Sequence, residues 1–111
     1  MTFKEELTKK ADRFEANVDI LEKVEFIKSQ LEVFCNKRKY TISLVKPRGT
    51  MALGRCSTNH YDVFIPKQVE PHYYRQLFVD AFKELGFTDE VIELDEYSCS
   101  SYDAYNIILR W

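Results

Sequence analysis

Glycine, proline and cysteine are all scarce in this 111-residue chain, at three each, and histidine occurs only twice. So few glycines leave no glycine-rich phosphate loop after a strand, because Gly49 and Gly54 alone do not make one. The cysteines, Cys35, Cys56 and Cys99, are odd in number and widely spaced. That pattern favours reduced thiols over a disulfide framework. Zinc sites need closely spaced soft ligands, and only Cys56 and His60 lie near each other, so no metal is expected. No apolar run approaches a membrane span and no export signal opens the chain. The expectation is a cytoplasmic protein with no membrane partner, no metal and no cofactor.

Aromatics are plentiful, at 14% of residues, and the hydrophobic and charged fractions are ordinary for a folded chain. One domain spanning 1–111 with an aromatic core follows. Its most definite stretch is 71–87. Tyr74, Leu77, Phe78, Ala81, Phe82 and Leu85 recur at the spacing of one α-helical face. Pro71 suits the first turn. Gly86 suits the left-handed position after the last turn, and Phe87 can fold back there.

The other elements follow from period and punctuation. Thr2 and Glu5 form a capping box before Phe3, Leu7, Ala11 and Phe14, predicting a helix over about 3–15. Asp19 and Glu22 repeat the box before Ile20, Val24, Ile27, Leu31 and Phe34, predicting a second helix to about Lys37. One uninterrupted helix is the alternative, since neither Gly nor Pro forces a stop near Asn17. Strands are expected at 40–46, 51–56, 61–65, 91–97 and 105–111. The first two should form a hairpin about Pro47 and Gly49. Ile108, opposite Ile107 and Leu109, marks the last strand as central, covered on both sides. The expected fold is α+β, in the order α-α-β-β-β-α-β-β, with a mainly antiparallel five-stranded sheet and helices on one face.

Charge is unevenly distributed along the chain. Lys37, Arg38, Lys39, Lys46, Arg48 and Arg55 fall in a stretch without carboxylates. Glu84, Asp89, Glu90, Glu93, Asp95, Glu96 and Asp103 fall in a stretch without cations. The basic set, with Arg48 at a hairpin tip, is the candidate for a nucleic-acid backbone. The acidic set of Asp89, Glu90, Glu93, Asp95 and Glu96, with Tyr97 and Tyr102, suits docking onto a basic protein surface. Glu93 and Asp95 should share one face of their strand, the usual position for charges that guard a sheet edge. Cys56 and His60 are the nearest approach to a catalytic dyad, but no third residue orients the imidazole. A non-enzymatic protein is therefore expected. Aromatics around the C-terminal hairpin are compatible with a homodimer through its exposed side.

The order α-β-β-β-α from the second helix to Leu85 is similar to that of double-stranded-RNA-binding domains, without their Gly- and Lys-rich entry to the last helix. The whole plan resembles the small cytosolic α+β proteins encoded by phages. The matching features are a charged N-terminal helix, a later helix ending Leu85-Gly86-Phe87, an acidic strand, and the closing strand Asn106-Ile107-Ile108-Leu109-Arg110-Trp111. That group includes anti-CRISPR and other anti-defence inhibitors. The resemblance implies a protein that binds a bacterial effector, such as a CRISPR nuclease complex, through acidic surface. It carries no functional residue over, because the group shares no motif.

Overall fold

A computed structural model of the chain describes residues 2–49, 56–57 and 59–111. Two helices pack on a mixed sheet. The order is α1 (Phe3–Val33), a 3-10 turn (Cys35–Lys37), β1 (Lys39–Pro47), β2 (Cys56–Ser57), β3 (His60–Phe64), α2 (Pro71–Glu84), β4 (Ile92–Ser98) and β5 (Tyr102–Arg110). The strands lie in the order β2-β3-β1-β5-β4.

The N-terminal segment is one helix, not two. Thr2 caps it as expected, its hydroxyl accepting from the Glu5 amide at 3.2 Å. The second capping box does not form. Asn17 donates from its side chain to the Arg13 carbonyl at 2.9 Å. Asp19 pairs with Lys23 at 2.7 Å and accepts from the Tyr74 hydroxyl. With no Gly or Pro to break the backbone, side chains able to cap are turned to bonds that leave the helix intact. Burial pushes the Tyr74 phenol well above its usual pKa, and the Asp19 carboxylate adds to the shift. α1 also stops earlier than expected, at Val33, and Arg38 takes a left-handed φ of 56° before β1 begins.

The sheet departs from the antiparallel expectation. β1 pairs in parallel with β3, from Thr41↔His60 to Val45↔Phe64. On its other side β1 runs antiparallel to β5, from Lys39↔Arg110 to Pro47↔Tyr102. The expected hairpin between 40–46 and 51–56 is replaced. Residues 51–55 lie outside the described set, and Cys56–Ser57 pairs antiparallel with β3, not with β1. Gly49 has no left-handed φ, so it does not fill the left-handed position expected of it, and the rest of that turn lies outside the described residues. A β1 strand buried on almost every residue from Tyr40 to Val45 needs neighbours on both edges. β3 and β5 supply them.

Paired positions share a sheet face, so the register assigns the faces. Tyr40, Ile42 and Leu44 of β1, Val63 of β3, and Ile107 and Leu109 of β5 are buried toward the helices. Ile20, Val24 and Ile27 of α1 and Tyr74, Phe78, Val79 and Phe82 of α2 close over them in one cluster. Both helices thus cover one face, as expected. The opposite face carries Ser43, Val45, His60, Asp62, Ala104, Asn106 and Ile108. β5 is central, lying between β1 and β4.

α2 matches its sequence most closely. Glu70 caps it, accepting from the Tyr73 amide at 2.8 Å and the His72 amide at 3.1 Å, with Pro71 in the first turn. Gly86 sits at φ 103°, the Phe87 amide bonds to the Phe82 carbonyl, and the Gly86 amide bonds to Lys83. That is a Schellman end. Leu85 departs from the expected stripe, because as the cap residue it turns outward, and Val79 is buried in addition. Replacing Phe82 by Ala should cost about 3–5 kcal/mol through lost transfer energy and a cavity. Lys83→Ala should change little, since its ion pair with Asp89 is exposed. Denaturant titration of the two variants measures the difference.

Candidate protein-binding edge

β4 ends the sheet, and from Glu93 to Ser98 every one of its residues is exposed. Its partner on one side is β5, in the register Ile92↔Leu109 to Ser98↔Asp103. Just beyond its ends, the Arg110 amide bonds to the Val91 carbonyl and the Cys99 amide to the Tyr102 carbonyl, both at 3.0 Å. Antiparallel ladders alternate, so Glu93, Asp95 and Tyr97 direct their backbone groups to β5. Ile92, Leu94, Glu96 and Ser98 direct theirs away from the sheet. Among the described residues nothing bonds to those outward amides and carbonyls. The edge is a row of open donors and acceptors seven residues long.

Side chains divide by the same alternation. Glu93 and Asp95 do share one face, as expected, together with Tyr97. Glu93 pairs with Arg110 at 3.2 Å, and Asp95 accepts from the Asn106 side chain at 2.7 Å. Tyr97 and Tyr102 meet with ring centroids 6.0 Å apart. Glu96 points to the helix side, where it accepts from His72 Nε2 at 2.8 Å and lies 3.4 Å from Arg75. Leu94 is exposed on that side as well. Asp89 is taken by Lys83 at 2.8 Å, and Glu90 makes no ion pair among the described residues. The acidic residues therefore belong to one strand and the turn before it, but on two faces.

The basic residues do not gather. Lys37, Arg38 and Lys39 stand at the start of β1 and Lys46 and Arg48 at its far end, with Arg55 outside the described residues. Lys39 and Lys46 are about 23 Å apart at strand rise. Arg48 is also engaged, its guanidinium holding Asp103 through Nη2 at 2.6 Å and Nε at 3.3 Å. That bond, with a second from Ser98, keeps the Asp103 carboxyl below its usual pKa. The pairing of β1 with β5 thus sets part of the basic stretch against part of the acidic one.

The Cys56–His60 dyad is not assembled by the register, which sets Ser57, not Cys56, opposite His60. His60 Nε2 instead lies 2.7 Å from Asp62 and 3.2 Å from Ser43. Three residue types of a hydrolase triad meet there, yet both contacts fall on the same ring nitrogen. A proton relay needs the carboxylate and the hydroxyl on opposite nitrogens. Ser43 is also buried. The cluster reads as a polar tie between β1 and β3. Only the alternation of 60, 62 and 43 across parallel strands brings it together, so sequence spacing alone gives no signal of it. No group of three or more His, Cys, Asp or Glu side chains suited to a metal occurs among the described residues. No described helix is long and apolar enough to cross a membrane.

One further cluster borders β4 and was not expected from sequence. His72 lies between Glu96 of β4 and Glu70, the helix cap, at 2.8 and 3.2 Å. Its ring meets Tyr105 edge-on. The bond to Glu96, then that to Glu70, raises the His72 pKa. A raised histidine stabilises the fold fully below about pH 6.5, its ordinary value, and loses that contribution as pH rises through the raised value. Glu96→Gln should lower the His72 pKa in an NMR titration. It should also destabilise the protein at acidic pH more than at alkaline pH. No protein-family model matches the chain, and comparison with curated proteins and with solved structures finds no match.

Proposed function

We propose that this is a non-catalytic binding protein that takes an extended, basic segment of a partner protein along the free edge of β4. The observation that carries the reading is the run of outward backbone groups from Ile92 to Ser98, flanked by Glu93, Asp95 and Glu96. Strand addition draws its affinity from such main-chain bonds and its selectivity from alternate side chains. Here those side chains ask for Lys or Arg on both faces of the incoming strand, with Leu94 and Tyr97 offering apolar contact.

Self-pairing of β4 is disfavoured by the same charges. A two-fold register centred on Asp95 sets Asp95 against its copy. Centred on Leu94 it sets Glu93 against Asp95, and centred on Glu96 it opposes the two Glu96 side chains. Like charges directly opposite destabilise a strand pair, so the edge selects a foreign, cationic chain. The resemblance to phage anti-defence proteins supports a bacterial effector, such as a CRISPR nuclease complex, as that partner. The nucleic-acid reading is weaker, since the cations are split between the two ends of β1 and Arg48 is held by Asp103.

Leu94→Pro removes an outward N–H without touching the ladder to β5, so the fold should persist by circular dichroism. It should abolish binding of a peptide of repeating Lys-Lys-Val-Val, which as a strand carries Lys on both faces, in fluorescence anisotropy, as should Glu93→Lys with Asp95→Lys. It should also abolish capture of a nuclease-resistant protein from bacterial lysate. Binding unchanged in both variants, or capture of nucleic acid alone, refutes the reading.

A further inference from the structure

α1 has two apolar faces. One, from Ile20 to Leu31, packs on the core. The other lies about 120° around the helix at 100° per residue. It consists of Leu7, Ala11, Phe14, Val18 and Leu21, at spacings of four, three, four and three, the alternation of a coiled-coil seam. Phe3 extends it by a turn. The relative exposures are 73% for Phe3, 50% for Leu7, 69% for Phe14, 44% for Val18 and 67% for Leu21. Ala11 is exposed too. The body of the protein touches this half of the helix from the other side, where Arg13 lies over the Tyr73 ring at 5.2 Å. No described element covers the seam.

We infer that the seam is a homodimer interface in which α1 pairs antiparallel with α1 of a second copy, about a two-fold axis between the levels of Asp12 and Arg13. In that register Ala11 of one protomer faces Phe14 of the other, and Leu7 faces Val18. Small sits against large and the layers interdigitate, whereas a parallel, in-register pair would stack Phe14 on Phe14 and leave Ala11 against Ala11. The charges fit as well. Lys4 and Glu22, at opposite ends of the seam and on the same flank, make no ion pair among the described residues. Antiparallel docking sets Lys4 beside Glu22 of the second copy, twice by symmetry. This contact is an alternative to one through the C-terminal hairpin, where carboxylates repel. The free edge of β4 stays open in the dimer, so this inference stands or falls separately from the proposed function.

Sedimentation equilibrium across a concentration series tests it. The wild type should reach twice the 13.2 kDa of one chain. Phe14→Glu, an exposed substitution, should give the monomer mass with an unchanged helical spectrum. Lys4→Glu should weaken association, and adding Glu22→Lys should restore it. A wild type that is monomeric throughout overturns the inference, as does a dimer that survives Phe14→Glu. So does a monomer that instead co-sediments with anionic lipid vesicles. Equal association of wild type and Lys4→Glu overturns the antiparallel register.

Discussion

The contact on which the rest depends is the column of aromatic rings on α2 against β1 and β5. Tyr74 meets Phe78 edge-on, Phe78 meets Phe82, Phe82 meets Phe87, and Phe87 meets the ring of Trp111. Tyr74, Phe78 and Phe82 share one buried cluster with Ile42, Leu44, Ile107 and Leu109, all of them fully buried. Aromatic side chains bury large areas and gain further from edge-on geometry. The column holds β1 and β5 together from one side. β4 lies beyond β5 as the last strand of the sheet, and from Glu93 to Ser98 it is exposed.

Much of this could be read from the chain. The α2 stripe, its proline start and its glycine stop are local signals, and local signals agree with the structure at Pro71, Gly86 and Phe87. The alternation of Glu93 and Asp95, and the central place of β5, were legible for the same reason, because period 2 fixes faces without knowledge of neighbours. Three features were not legible. The parallel pairing of β1 with β3 is a choice among partners that a buried run such as Tyr40 to Val45 does not encode. The unbroken α1 turns on Asp19, whose carboxylate could cap a new helix or bind Lys23 and Tyr74, and only the tertiary contact decides. The His72 clamp depends on Glu96 reaching the start of α2 across the fold.

Charge on this protein is arranged by topology more than by composition. A stretch rich in Lys and Arg loses its identity as a patch when a straight strand runs through it, with Lys39 at one end and Arg48 at the other. A stretch rich in carboxylates keeps its identity when it lies along one edge strand, although Glu93, Asp95 and Glu96 each have a neighbour of their own. Those neighbours hold the carboxylates in place, which, for the partner strand proposed above, lowers the entropy lost on binding.

The pairing of β1 with β5 bears on how quickly the molecule assembles. It joins segments far apart in the chain, from Lys39↔Arg110 to Pro47↔Tyr102, while β4 and β5 are linked by a short turn. Closing a long loop costs entropy before any contact rewards it, so the β4–β5 hairpin and the two helices can form early while the centre of the sheet waits. Refolding is then limited by the meeting of β1 with β5. Its rate should respond to changes at Ile42 and Ile107 far more than to changes on the outer strand.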